Sequence, residues 1–377
     1  MWTGPAHRRQ KEITMETRYP VLEIDLKKLR QNAEEVVKRC GAAGIQVAGV
    51  IKGFSGFPQA AEQLELGGCS QIASSRLSQL EEVKAYGLHG PFMLIRIPML
   101  SELPRLVRTA EYSLQSERTV IDALEKECAA QNKTHSVVIM ADLGDLREGM
   151  WNKDELCRLC LYVEQELSHV KLAGIGTNLG CYGSIKTTPE KMEELVALAG
   201  RVEALIGRKL EIVSGACTPA IVLVHEHQMP PGMNHARIGG GMILARDMED
   251  NFGMSFDYIH KDAFTLKAEI VEVQTKPSYP VGEIFVDCFS EGGHYVDRGM
   301  RKRALAAVGK VDCYSFDKLI PRLPGVEVIG GSSDHTILDI EECEQEIQVG
   351  DVLEFDLCYA AMVFLSSAPD VTVRCIE

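Results

Sequence analysis

The chain has 377 residues, enough for two domains and a large core, and a formal charge of -14 at neutral pH. That charge argues against a nucleic-acid binder, which needs a basic stripe, but leaves room for a local basic pocket around a phosphate. Twelve cysteines without a disulfide pattern suggest a reducing, cytoplasmic setting, and no run approaches the roughly 18 apolar residues of a membrane span.

Met1 to Thr14 is polar and basic and lacks the apolar stretch of a secretory signal. Residues 1–18 read as a disordered extension, with Met15 an alternative start. Tyr19 to Leu26 alternates like a half-buried strand, expected to pair with the C-terminal part of the chain, and Lys27 to Arg39 reads as an amphipathic helix. Strand and helix signals then alternate. The strands are Ile45 to Lys52, Ser70 to Ala73, Phe92 to Ile97, Glu111 to Leu114, Ser136 to Ala141, Leu172 to Thr177, Leu210 to Val213 and Ala236 to Ile238. Helical patterns separate them, and Ser101 is placed to cap one. About eight β/α units over roughly two hundred residues are the signature of a (β/α)8 TIM-like barrel.

After Phe252 short strands separated by Gly, Pro and Asp take over, from Phe264 to Val273 through to Val371 to Cys375. They predict a C-terminal all-β domain. The expected division is 19–255 for the barrel and 256–377 for the β domain. Cys157 and Cys160 share a helical spacing and read as helix packing rather than a metal or redox pair.

Chemistry in a barrel gathers at the carboxyl ends of its strands. There the apolar run Val47 to Ile51 stops on Lys52 and meets the glycines Gly53 and Gly56. A buried ammonium is costly unless paired or deprotonated, and a neutral amine is what Schiff-base chemistry requires. The alternative is a lysine that snorkels to the rim as a surface charge. Other strand ends carry Ser74 to Arg76, Arg96, Asp142 with Asp145 and Arg147, Asn178 with Tyr182, Ser214-Gly215, and Arg237 to Gly241. One lysine, several arginines and glycine or hydroxyl loops make a site for a phosphorylated anionic cofactor.

The Lys52 strand, Asp142-Leu-Gly-Asp-Leu-Arg-Glu-Gly149, Thr177-Asn-Leu-Gly-Cys-Tyr-Gly183, Ser214-Gly215 and Arg237-Ile-Gly239 resemble the alanine-racemase-type, fold-type III enzymes that use pyridoxal phosphate. Leu94 to Leu100, Lys276-Pro-Ser278, Arg301 to Ala304 and Gly331-Ser-Ser-Asp-His335 resemble the ornithine racemase branch of that class. The resemblance implies a pyridoxal 5'-phosphate enzyme interconverting L- and D-amino acids, with ornithine or a similar amino acid as substrate. It implies that Lys52 holds the cofactor covalently, Arg147 approaches its phenolic oxygen and Arg237 faces its ring nitrogen. Ser214, Thr218, Gly239 and Tyr359 are the phosphate candidates. It also implies a head-to-tail homodimer in which the β domain completes the partner's site.

Two positions depart from the alanine racemase pattern. A tyrosine expected from the β domain as the opposite-face base is replaced by Lys310, in Gly309-Lys310-Val311-Asp312. Lys310 and His335 become the candidates for that base, with Asp334 orienting a neighbour; a solvated surface lysine is the other reading of Lys310. Asn178 stands where those enzymes carry a histidine against the ring. Ser333 and Asp145 are the substrate-binding candidates, Asp145 being equally explicable as a loop cap. Three rivals share parts of this pattern: metal-assisted D-amino-acid aldolases and dehydratases, decarboxylases with a cysteine-containing loop, and small barrels that only carry pyridoxal phosphate. The first lacks its His-x-Cys pair here, although His335 with Asp339 keeps it open; Cys288 and Cys313 do the same for the second. The third lacks a second domain.

Overall fold

The computed structural model describes residues 18–377 apart from Ala216 and His294. The extension read over residues 1–18 therefore lies, but for Arg18, outside the described residues. The chain starts with β1 (Val21–Asp25), and the Asp25 carboxylate then accepts the Lys28 N–H at 2.9 Å, capping α1 (Leu26–Ala42). Such a cap stabilises a helix by about 1 kcal/mol, so the turn from strand to helix is written locally in the sequence.

The barrel follows as β2 (Gln46–Val50), α2 (Pro58–Leu66), β3 (Gln71–Ser74), α3 (Leu77–Tyr86), β4 (Phe92–Leu94), α4 (Leu103–Thr109), β5 (Tyr112–Gln115) and α5 (Arg118–Ala130). It continues with β6 (His135–Ala141), α6 (Lys153–Glu166), β7 (Val170–Thr177), α7 (Pro189–Ile206), β8 (Ile212–Ser214), α8 (Ala220–His225) and β9 (His235–Ile238). All neighbouring strands are parallel, and β9 pairs with β2 from Gln46↔His235 onward to close the ring. Strands buried on both faces read as continuous apolar runs. In β2, Val47 faces the core under the helices, while Ala48 and Val50 fill the lumen with Ala73, Met93, Leu114, Met140 and Ile212. Cys157 and Cys160 are both buried on α6, consistent with packing.

Two short helices, α9 (Gly240–Ile243) and α10 (Arg246–Phe252), lead out of the barrel. The second domain contains β10 (Phe264–Pro277), β11 (Met300–Ala306), α11 (Lys310–Cys313), β12 (Leu319–Pro321), β13 (Glu327–Gly331), β14 (Thr336–Asp339), β15 (Val352–Leu357), α12 (Tyr359–Leu365) and β16 (Thr372–Ile376). Its strands run in the order β12-β15-β10-β11-β14-β13. β1 belongs to this domain as well: Leu22 pairs antiparallel with Leu266 and parallel with Val373. β10 extends to Pro277, beyond the expected Val273, because pairing with β11 holds its exposed end without burial.

The sequence reading missed β12 and α12, and α12 is the more consequential. From the second domain it lies back on the barrel mouth, with the Tyr359 N–H donating to Asp247 at 2.8 Å and the Ser366 hydroxyl donating to the Gly53 carbonyl at 3.3 Å. The turn after β2 is thus roofed by a helix from the same chain. Among the described residues no helix is long and apolar enough to cross a membrane.

Candidate active site

A cavity of about 440 Å³ opens at the carboxyl ends of the barrel strands. Lys52, Arg147, Asn178, Thr218, Arg237, Gly239 and Tyr359 all line it. They arrive from six separate stretches of chain, and an apolar wall of Val50, Ile95 and Leu114 meets them.

Lys52 follows β2 directly and starts a single 3-10 turn, Lys52–Phe54. The turn is held by packing: Phe54 is buried, and a Cβ at Gly53 would stand 3.0 Å from the Tyr359 ring and 3.1 Å from Met362. Glycine there is what lets α12 settle on the turn. Backbone position is therefore fixed while the lysine side chain reaches the cavity.

Arg237 forms the floor. Its guanidinium is buried and donates to neutral oxygens: the Thr177 carbonyl at 2.6 Å, the Ser214 carbonyl at 3.4 Å and the Ser214 hydroxyl. Burial lowers its affinity for the proton, but an arginine stays charged. Beneath it the Ser214 hydroxyl meets His235 Nδ1 at 2.8 Å, and His235 Nε2 meets Gln71 at 3.1 Å. Burial pushes that imidazole down to about 3, so His235 is neutral. Ser214 is thus corrected as a phosphate candidate: its hydroxyl is wholly buried and consumed under Arg237, outside the cavity lining.

On the other wall Thr218, Gly239, Gly240 and Tyr359 converge. A Cβ at Gly240 would lie 3.3 Å from the Tyr359 ring and 3.8 Å from the Thr218 hydroxyl, so the bare backbone faces inward. Thr218 accepts the Gly241 N–H at 3.3 Å, which leaves its own O–H to donate. Tyr359 is pushed up to about 12, first by burial and then by the neighbouring Cys217 and Cys181; it too keeps a proton to donate. Asn178 is buried in the wall with its amide nitrogen unpartnered. An unmet buried donor costs about 1–3 kcal/mol, and a bound polar group would remove that cost.

The loop after β6 brings Arg147 to the rim, where it is ion-paired with Glu148. Asp145 turns the other way. Its carboxylate is buried and accepts the N–H groups of Cys181 at 3.2 Å, Tyr182 at 3.0 Å and Ile185 at 3.4 Å. Burial works against its ionisation, but those N–H groups prevail and hold it below the usual carboxylate range. Asp145 is therefore a clamp for the loop after β7, and its assignment to substrate binding is corrected. Arg96 likewise is spent on Glu102, at 2.6 Å to both oxygens. The same Glu102 accepts the Met99 N–H at 3.2 Å, taking the capping role expected of Ser101.

Sequence reasoning passed over two thiols. Cys181, exposed, and Cys217, half-buried, both line the cavity. The Cys217 thiol donates to the Leu179 carbonyl at 3.4 Å; the two thiols perturb each other, Cys181 being drawn below the ordinary thiol range and Cys217 raised, with the Arg147 and Lys52 cations adding to the first against the effect of burial. The signal was available, since Cys181 sits in Gly-Cys-Tyr-Gly directly after a barrel strand.

Of the candidates from the second domain, only Tyr359 reaches this cavity; Lys310, Ser333, Asp334 and His335 lie apart from it. The Lys310 N–H donates to Ser332 O at 3.0 Å and the Val311 N–H to Ser333 O at 3.1 Å, so 309–311 and 331–335 form one cluster holding Ser333, Asp334 and His335. None of these lines the cavity of its own chain. Lys310 is paired with Glu291 at 2.6 Å, and that carboxylate raises its proton affinity. Asp339, the partner His335 would need in a metal site, is held bidentate by Arg301 at 2.9 and 3.1 Å.

Residues 24–247 match the family model described as alanine racemase, N-terminal domain. The chain is 37% identical to a lysine racemase of Thermotoga maritima over 353 residues, covering 94% of this chain and 97% of that one. It is 36% identical to an ornithine racemase of Acetoanaerobium sticklandii over 345 residues, 92% and 96% of the two chains. Among solved structures it resembles an alanine racemase from a D-cycloserine-producing Streptomyces lavendulae, with a TM-score of 0.74 at 18% identity, covering 96% of this chain and 98% of that one. A D-threonine aldolase from Filomicrobium marinum gives 0.71 at 16% identity, covering 92% and 88%. At such identities the structural likeness speaks for the fold alone.

Proposed function

The chain belongs to the alanine racemase family and is an amino-acid racemase, and from that premise we propose that it uses pyridoxal phosphate at Lys52 to invert a basic amino acid of the ornithine or lysine class. The observation that carries this reading is the pairing, in one cavity, of a strand-end lysine with a buried arginine whose other contacts are all neutral. The cofactor fits the donor set: an amine to bind its carbonyl, a donor-only floor, and a wall of N–H and O–H groups for a phosphate.

Pyridoxal phosphate, when bound, supplies a carbonyl that condenses with amines and a conjugated ring that acidifies the substrate Cα–H. Lys52 would hold it and, once its amine is free, carry a proton to or from Cα on one face. Arg237 can donate but not accept, so it would hold the ring nitrogen without protonating it, which favours simple proton return over side reactions. Thr218, Gly239, Gly240 and Tyr359 would take the phosphate, and Arg147 the phenolic oxygen. Asn178 would give its unpartnered N–H to the bound group. For the basic side chain, the carboxylates on the cavity wall are Asp247, which already accepts the Tyr359 N–H, and Glu148, which would have to exchange its Arg147 partner. The lysine and ornithine racemases among the relatives support that substrate class.

The reading includes a head-to-tail homodimer. Its support is the apolar surface left open on the segment between β10 and β11, where Val281 is 91% and Phe285 85% exposed, and at the barrel mouth, where Tyr182 is 75% and Trp151 67% exposed. Large exposed apolar patches mark docking surfaces. Lys310, Ser333, Asp334 and His335 would reach a cavity only in such a pair. A cytoplasmic location accords with cysteines that are all free among the described residues.

The test is Lys52→Ala. Loss of the bound cofactor's absorbance together with turnover is expected; cofactor-dependent racemisation by that variant would overturn the assignment.

A further inference from the structure

A buried polar side chain is costly unless its polar atoms find partners, and the lumen of a barrel is ordinarily filled with apolar layers. Beneath Arg237 this lumen instead holds a histidine and a glutamine. Resting on the racemase reading above, we infer that His235 and Gln71 are positioning residues for the reaction. They act through the Ser214 hydroxyl to hold Arg237 as a charged donor on the cavity floor.

The strands put them there. His235 and Arg237 are two residues apart on β9, so both side chains point inward, the imidazole one layer further from the cavity mouth. Ser214 on β8 is the register partner of His235. Gln71 on β3 and Arg237 on β9 both flank Ala48 of β2, the strand between them. Ala48 faces the lumen as a bare methyl, which leaves room for the imidazole to reach past β2 to Gln71, 164 residues away in sequence. Of Gln71, Ser214, His235 and Arg237 none is more than 6% exposed, so water cannot stand in for a lost partner.

The hydrogens run one way along this chain. Gln71 Oε1 can only accept, so His235 Nε2, 3.1 Å away, carries the imidazole hydrogen. His235 Nδ1 is then a bare acceptor, and the Ser214 hydroxyl donates to it at 2.8 Å. That leaves the Ser214 oxygen to accept from the Arg237 guanidinium. The opposite tautomer would aim two donors, Nδ1–H and Arg237, at one hydroxyl oxygen and set a bare Nε2 against Gln71 Oε1. Burial and the Arg237 charge keep His235 neutral. Each bond in such a chain polarises the next, so the Ser214 oxygen is a better acceptor for having given its hydrogen away.

A carboxylate below Arg237 would pair with the guanidinium and offset its charge. A neutral chain, with the Thr177 carbonyl at 2.6 Å, anchors the same guanidinium and leaves that charge whole. Arg237 is therefore fixed in place yet fully cationic toward a bound group. Neither His235 nor Gln71 lines the cavity; both act through Arg237.

Two measurements test this. In cofactor-free protein labelled with 15N-histidine, NMR should find the His235 ring, identified by its absence in His235→Asn, neutral with its hydrogen on Nε2 from about pH 5 to 8. A cationic ring, or a hydrogen on Nδ1, would overturn the chain. In the loaded enzyme, His235→Leu should lower kcat about tenfold with KM for ornithine or lysine unchanged, and shift the absorbance band of the bound cofactor. Gln71→Met should act in the same direction and less strongly; it carries the same reading should His235→Leu fail to fold. His235→Asn, whose side-chain oxygen can take the Ser214 hydrogen, should recover most of the loss. Wild-type kcat and absorbance in the leucine and methionine variants, or no recovery with asparagine, would overturn the positioning role. A wild type that inverts no amino acid would bring down the racemase reading, while the NMR result stands or falls by itself, which separates the two failures.

Discussion

Asp145→Ala should loosen the loop that carries Asn178 and Cys181 while leaving the barrel intact. The carboxylate accepts three backbone N–H groups, at 3.2 Å from Cys181, 3.0 Å from Tyr182 and 3.4 Å from Ile185. Hydrogen bonds to a charged acceptor contribute about 1.5–3 kcal/mol each, and the longest of these lies at the edge of useful range. Two full bonds would give about 3–6 kcal/mol, but residues 180–184 are exposed, so water can re-solvate part of what is lost. A net local cost of about 2–3 kcal/mol follows, or roughly 30- to 150-fold faster opening. Amide hydrogen exchange read by mass spectrometry should show it at Cys181, Tyr182 and Ile185, with β7 and α6 unchanged. Unchanged exchange at Cys181 and Tyr182 would refute the clamp. The pH dependence has a definite sign. Because the folded state holds this carboxyl below its ordinary value, its contribution is complete above the unfolded pKa near ~3.9 and is lost as pH falls through the folded value. Asp145→Asn, which keeps one carbonyl oxygen, should fall between wild type and alanine.

Two glycine substitutions separate structure from site. At Gly174 a Cβ would lie 1.7 Å from the Ile212 carbonyl oxygen, so Gly174→Ala must push β8 off β7 and should cost about 3 kcal/mol or more, read as a lowered urea midpoint or failure to fold; an unaltered midpoint would contradict the strand spacing. At Gly240 the nearest contact is a tyrosine ring at 3.3 Å, which can give way, so Gly240→Ala should fold normally yet bind pyridoxal phosphate about tenfold more weakly by absorbance titration. Unchanged affinity would remove Gly240 from the phosphate wall.

The architecture was legible because its signals are local. Parallel strands buried on both faces read as apolar runs, and glycine and capping residues punctuate them, so the eight-strand series was assembled from neighbours in sequence. The resemblance in the strand-end motifs reached the family. Side-chain commitments were less legible. Ser214 and Arg96 sit at strand ends like genuine site residues, but one hydroxyl is used under Arg237 and one guanidinium on Glu102. α12 was missed because its apolar run Tyr359–Leu365 earns its helical face only by lying against the Lys52 turn, some 300 residues earlier in the chain.

The sequence by itself determined the order of strands and helices, the passage from barrel to β domain, and the arrival of Lys52 and Arg237 at strand ends. Periodicity of two or 3.6 residues is set by backbone geometry and needs no distant partner. Tertiary structure alone decided which strand-end groups share the cavity. Whether a carboxylate faces substrate or a neighbouring loop depends on which donors lie within about 3 Å, and for Asp145 those donors are 36 to 40 residues away. Cys181 and Cys217 likewise come to line one cavity only when the ring of strands closes.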